Sequence, residues 1–155
     1  MTPLRGFSLI ELIITLAVLG MLLAVGVPLT RAWSDSAYQR EAAGQLQQGL
    51  SRAKATALRN KGGVQNTAPA AVLCLSQQEL TLFTLEKDQG IDCSATSNIL
   101  WSAALPASAT IKTSNSNFTC VAFDNRGLVA EGTACSTTPL QVLAGDESAF
   151  DVPLI

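Results

Sequence analysis

Gly6-Phe7-Ser8-Leu9-Ile10-Glu11 opens an apolar run that lasts to Val27, and this stretch decides how the chain must be organised. Residues 7–27 number 21, and Glu11 carries the only charge among them. At about 1.5 Å rise per residue, a helix of that length reaches roughly 31 Å, close to the hydrocarbon thickness of a bilayer. A charge in the middle of a membrane helix costs roughly 2.5–3.5 kcal/mol on insertion scales, so Glu11 is a functional candidate. The competing reading places Glu11 near the helix start, where it reaches back to the lipid headgroups.

Ahead of the run stands Met1-Thr2-Pro3-Leu4-Arg5-Gly6, a very short segment with one cation and no acid. Such a flank favours keeping this end on the cytoplasmic side. A removable secretory signal would have a shorter apolar core and a small-residue cleavage site, for which Ala24-Val25-Gly26 is the available candidate. A glutamate inside the core and Pro28 just beyond the cut argue against that reading and for a single-pass anchor.

Working onward, residues 30–61 read as a continuation of the anchor helix. Ala43, Leu46, Leu50, Ala53 and Ala57 draw one apolar stripe at helical spacing. Gly44 and Gly49 each weaken a helix by up to about 1 kcal/mol relative to alanine but permit close backbone approach. Gly62-Gly63 is the expected stop, and Arg52, Lys54, Arg59 and Lys61 complement the negative end of the helix.

Beyond the double glycine the pattern turns to short extended runs. Ala71-Val72-Leu73-Cys74-Leu75 and Leu80-Thr81-Leu82-Phe83-Thr84-Leu85 predict two strands joined by a polar turn. Further strands are expected at 98–105, 109–113 and 118–123. Leu128-Val129-Ala130 is expected to pair across the turn Asp124-Asn125-Arg126-Gly127. Segments 140–143 and 149–154 are expected to close the sheet. The fold class is therefore α+β: a long N-terminal helix, half membrane and half amphipathic, leading into an antiparallel head.

The cysteines, Cys74, Cys93, Cys120 and Cys135, all lie in the head. An even number outside the cytoplasm argues for disulfides, with three possible connectivities. Cys74–Cys93 and Cys120–Cys135 are favoured, because each joins neighbours around one or two strands. The alternatives are zinc, which has neither C-x-x-C spacing nor any histidine here, and free buried thiols. No nucleophile elbow, phosphate loop or metal-ligand spacing occurs, so neither an enzyme nor a cofactor is expected.

Charge bears on partners. From Glu79 onward nine acids face only Lys87, Lys112 and Arg126, a net of −6. Such a head repels a phosphate backbone, and nucleic acid is not an expected partner. Trp33 is expected at the membrane boundary, where aromatic rings with a polar edge gather, and Trp101 in the core.

Gly6-Phe7-Ser8-Leu9-Ile10-Glu11-Leu12 resembles the leader junction of type IV pilins and type II secretion pseudopilins. The shared elements are a short basic leader ending in glycine, an aromatic residue next, and glutamate at the fifth mature position. Gly20 and Pro28 fall where such helices commonly carry a glycine and a proline, and a helix break is expected there. The resemblance implies cleavage between Gly6 and Phe7 by prepilin peptidase, N-methylation of Phe7, and a role for Glu11 in assembly. The implied layout is a leader at 1–6, a filament-core helix at 7–29, an amphipathic half at 30–61 and a disulfide-bonded head at 62–155. Implied partners are other major and minor pilins or pseudopilins, the peptidase, the inner-membrane assembly platform, and membrane lipid before assembly. The implied location is the bacterial inner membrane, with a periplasmic head, and then the filament. The head is similar to the FimT/FimU/GspH group through the basic helix end, the strand with Cys74, Leu105-Pro106-Ala107 and Phe123-Asp124-Asn125-Arg126-Gly127. DNA-binding members of that group tend to carry Gly-Arg-x-Arg near the C-terminus, whereas this tail holds three acids and no base. The resemblance implies a minor pilin or a pseudopilin of the GspH type; a ligand-capturing minor pilin for uptake or adhesion is the alternative.

Overall fold

A computed structural model describes residues 8–114 and 116–154, so the Gly6–Phe7 junction lies outside the described residues. One helix, α1 (Leu9–Arg59), precedes β1 (Pro69–Ser76), β2 (Glu79–Thr84), β3 (Ile99–Ala104), β4 (Ala109–Lys112), β5 (Cys120–Asp124), β6 (Leu140–Ala144) and β7 (Phe150–Val152). The architecture is α+β, with every strand pairing antiparallel. The chain forms two compact units, Met1–Ser34 and Asp35–Ile155.

α1 is helical without interruption through Gly20 and Pro28, in place of the break expected there. A proline withdraws one backbone donor from the ladder, and neighbouring turns carry the helix past it. The helix stops at Arg59, two residues before Lys61, and Asn60 rather than the double glycine ends it. Asn60 takes a left-handed φ of 42°, and its side chain both accepts from the Val64 N–H at 2.8 Å and donates to the Val64 carbonyl at 2.8 Å. Asparagine is the usual substitute for glycine at this cap, because its short amide satisfies the turn it creates.

Gly62 serves a different purpose. A Cβ there would collide with the Leu85 carbonyl, while Gly63 at φ 63° has open space around it. Gly62→Ala is therefore expected to cost about 2 kcal/mol by overpacking, and Gly63→Ala only about 1 kcal/mol by strain. Thermal unfolding of the two variants side by side checks the order.

The apolar stripe packs as its spacing requires: Ala43, Leu46, Leu50, Ala53 and Ala57 are all buried, joined by Ala42. They meet Leu73, Leu80, Leu82, Val121 and Phe123 of one sheet, and Ile111, Leu140, Val142 and Val152 of the other. Each fully buried leucine contributes roughly 1.5–3 kcal/mol. Gly49 lets Leu73 and Trp101 close on the helix, whereas Gly44 is exposed with nothing near it, so only one of the two glycines makes a close approach.

Two sheets form where one was expected, in the orders β3-β2-β1-β5 and β4-β6-β7. The corner between them is held by Gln78. Gln77 and Gln78 both have positive φ, 49° and 62°, closing the β1–β2 hairpin with a two-residue turn of the I′ kind. The Gln78 side-chain amide donates to the carbonyls of Ala109 at 2.9 Å and Pro106 at 3.3 Å, and the Gln78 backbone carbonyl accepts the Leu105 N–H at 2.7 Å. These bonds turn the chain away after β3, so β4 pairs with β6 and not with β3. Leu128-Val129-Ala130 yields a single bridge, Phe123↔Val129, and not a strand.

The two sheets differ in burial. β5 is buried at every position and β1 nearly so, because α1 covers one face and loops cover the other. β4 and β6 alternate, with only one face in the core. On the α1 side of the second sheet the buried Gln39 donates to the carbonyls of Val142 at 3.0 Å and Ser148 at 2.6 Å, fastening the β6–β7 turn to the helix.

Candidate functional site

Three groups of residues can carry function: the apolar part of α1, the paired cysteines, and the charged turn after β5. The first is the most unusual physically. Thirteen large apolar side chains between Leu9 and Val27 are exposed, the least of them, Val27, at 48%. A surface of that kind needs lipid or other helices to cover it.

The few polar groups on this stretch are already satisfied. Thr15 donates its hydroxyl to the Leu12 carbonyl at 2.8 Å, and Thr30 does the same to Gly26 at 2.9 Å, so neither loses a bond on leaving water. Glu11 differs. It lies in the first turn of α1 and is exposed, with no hydrogen bond or ion pair among the described residues. The positive end of the helix favours a carboxylate there, but only fractionally. Burying an apolar rod with one unmet carboxylate is strongly penalised unless a cation is buried with it.

In the head, Cys74 is bonded to Cys93 with Cα atoms 5.6 Å apart, and Cys120 to Cys135 at 4.8 Å. Cys74 and Cys120 are register partners on β1 and β5, yet each reaches outward to a loop. The bonds thus pin two loops over the face of the first sheet that α1 leaves open, where Val72, Phe83 and Leu85 are buried with them. In the chain-entropy model each such loop contributes about 3 kcal/mol.

The Asp124-Asn125-Arg126-Gly127 turn is built around one carboxylate. Asp124 Oδ1 accepts the N–H groups of Arg126 and Leu128, each at 2.9 Å, and Oδ2 accepts Arg126 Nε at 3.0 Å and Nη2 at 2.7 Å. Burial pushes the Asp124 carboxyl up, but the Arg126 guanidinium and the N–H groups of Leu128 and Arg126 outweigh it. The carboxyl is held below its usual range. Asn125 donates to the Val64 carbonyl at 3.0 Å, and Gly127, at φ 74°, rests against Leu58 and Lys54. The turn thereby docks on the end of α1. Sequence reading saw a turn here but not its target, since nothing local links residue 125 to residue 64.

The basic helix end is partly engaged in the fold. Arg52 stands over the Trp101 ring, 5.5 Å from its centroid, and Trp101 packs on the core. Arg126, one of three cations after Glu79, is spent on Asp124. Trp33 is 85% exposed. An open groove of about 490 Å³ runs between the last turns of α1 and Val152–Pro153, lined by Leu50, Lys54 and Leu58. Among the described residues no group of His, Cys, Asp and Glu is arranged to hold a metal.

Residues 3–27 match the family model described as the prokaryotic N-terminal methylation motif. No curated protein and no solved structure matches the chain significantly.

Proposed function

We propose that this chain, marked by its N-terminal methylation motif as a type IV pilin-like protein, is a minor pilin or pseudopilin that joins or primes a filament. The motif supports a membrane-anchored structural subunit, processed by prepilin peptidase and assembled with other pilins. In our reading the cut falls between Gly6 and Phe7, Phe7 is methylated, and the apolar helix lies in the inner membrane with the head in the periplasm. The new α-amino group is cationic near neutral pH. It is created four residues before Glu11, in the chain's most apolar surroundings. Pairing of the two, within a chain or between neighbours, relieves both charges and sets register between otherwise featureless helices.

One observation carries this reading: an apolar helix surface, exposed from Leu9 to Val27, on which Glu11 is the one charged group and has no partner among the described residues. Intact-mass analysis and N-terminal sequencing of chains from membranes test it. The expected product begins at methylated Phe7; chains that keep Met1, or are trimmed elsewhere, overturn it. Minor status predicts a small fraction of the subunits in sheared filaments, and a majority share would make it the main subunit instead. Assignment to the FimT/FimU/GspH group is supported by the order of its head motifs. Neighbouring genes separate pilus from secretion: further short-leader genes indicate a minor-pilin cluster, secretin and secretion ATPase genes a pseudopilin. Capture of DNA is disfavoured by the acidic head, and no retardation in a gel is expected at physiological salt.

A further inference from the structure

Cys74 and Cys120 each hold a loop, but they are also direct neighbours across β1 and β5. Two backbone bonds fix the kind of pair they form. Leu75 N–H donates to the Thr119 carbonyl at 2.8 Å, which places the bonded pair one step further along the ladder. The Cys120 carbonyl is turned away from β1 and accepts the Ser136 N–H, also at 2.8 Å. Cys74 and Cys120 therefore exchange no backbone bond with each other. In such an antiparallel pair the Cα atoms lie about 4.5 Å apart, and the side chains are closer than at a bonded pair. That spacing falls inside the roughly 4.4–6.8 Å that a disulfide spans. Both side chains sit in the same buried cluster, with Val72 and Ala122 beside them. The head thus contains a third bridgeable pair that shares one cysteine with each existing bond.

The cysteines differ in access. Cys74, Cys120 and Cys135 are buried, whereas Cys93 is only half-buried. Thiol–disulfide exchange starts with attack by a thiolate on a sulfur it can reach. An external thiolate therefore enters at Cys93. The sulfur it expels is that of Cys74, already beside Cys120.

We propose that the head carries a two-electron redox switch in which Cys74 changes partner from Cys93 to Cys120. A dithiol of the Cys-x-x-Cys class supplies the electrons. Its first thiolate bonds to Cys93 Sγ and breaks the Cys74–Cys93 bond. Its second thiolate then closes the reductant's own disulfide and leaves Cys93 as a thiol. The freed Cys74 thiolate attacks Cys120 Sγ, breaks the Cys120–Cys135 bond and expels Cys135 as a thiolate. The two protons of the dithiol end on Cys93 and Cys135. One dithiol has become a disulfide, and two loop bridges have become one Cys74–Cys120 bridge and two thiols.

The structural consequence is confined to one face. The loop after β2 that carries Cys93 and the loop after β5 that carries Cys135 both lose their ties over Val72, Phe83 and Leu85. Leu73, Val121 and Phe123 belong to the other cluster, packed with α1, and the exchange leaves them in place. The head opens on one side without unfolding. The switch is a property of the head and does not depend on the filament reading above.

The test treats the full-length chain, in membranes opened with detergent, with limiting dithiothreitol, then blocks thiols with N-ethylmaleimide in acid. Non-reducing peptide mapping locates the labels. Among chains with two labels, Cys93 and Cys135 are expected to carry them at about fivefold or greater excess over any other pair, with Cys74 linked to Cys120. Any distribution without that excess overturns the switch, as does passage to four labels with no two-label chain at any dose. A second arm uses Cys93→Ser with Cys135→Ser, which leaves only Cys74 and Cys120. This chain is expected to form the Cys74–Cys120 bond and to be cut by trypsin after the exposed Lys87 about tenfold faster than wild type. Recovery with both thiols free overturns the bond, and cutting at the wild-type rate overturns the opening. If the double variant does not fold, the wild-type labels decide alone.

Discussion

Glu11→Ala is expected to lower the chain's share of sheared filaments by about tenfold or more while leaving it folded and inserted in the membrane. Removing the charge makes insertion easier, by roughly 2.5–3.5 kcal/mol on insertion scales. Loss of the anchor therefore cannot explain a defect. On the proposed pairing, what disappears is the counter-charge for the amine at Phe7, which would then be buried unpaired among neighbouring helices, a penalty of several kcal/mol before relaxation. A tenfold loss corresponds to about 1.4 kcal/mol of that, a conservative share. Glu11→Asp keeps the charge on a shorter arm and should recover part of the incorporation. Quantitative immunoblots of filament and membrane fractions read both variants, and normal incorporation of Glu11→Ala would refute the pairing.

The largest effect on the head is expected from Asp124→Asn. The buried carboxylate accepts four hydrogen bonds, two from the backbone and two from Arg126. The amide keeps one acceptor but turns an N–H₂ group toward the guanidinium. Loss of a charged acceptor at a buried site costs about 2–3 kcal/mol, or on the order of 10 °C in unfolding midpoint for a domain of this size. The acid side gives an independent check. The folded carboxyl lies below its usual value of 3.8. Its contribution is therefore complete above the unfolded value and is lost as pH falls through the lower, folded one. The wild-type chain should lose stability over that acidic window, and the difference from Asp124→Asn should shrink there. A constant difference down to low pH would show that the carboxylate's charge is not what the turn uses.

Some of this is legible in the sequence. The spacing of Leu46, Leu50, Ala53 and Ala57 named the buried face of α1 correctly, because a helix repeats its environment every three or four residues. The cores of β1, β2 and β3 were also found, since alternation and β-branched content are local signals. Leu128-Val129-Ala130 had the same composition and formed no strand: the Leu128 N–H goes to the Asp124 carboxylate, and beside it only the Ala130 N–H reaches β5, at the Ala122 carbonyl. Gln77 and Gln78 were invisible as a tight turn. Glutamine rarely adopts positive φ, and here the bonds from Gln78 to a loop some thirty residues away hold it there.

The sequence alone determined that one end of this protein is an apolar helix with a solitary acid and that the other is an antiparallel head. Both follow from periodicity and charge, which act over a few residues and need no knowledge of distant partners. Tertiary structure decided that the head is two sheets rather than one and that the Asp124 turn grips the end of α1. Those outcomes rest on hydrogen bonds between residues 28 to 109 positions apart. Such pairings are settled by which polar groups would otherwise be buried without a partner, a cost that exists only once the whole chain has closed around them.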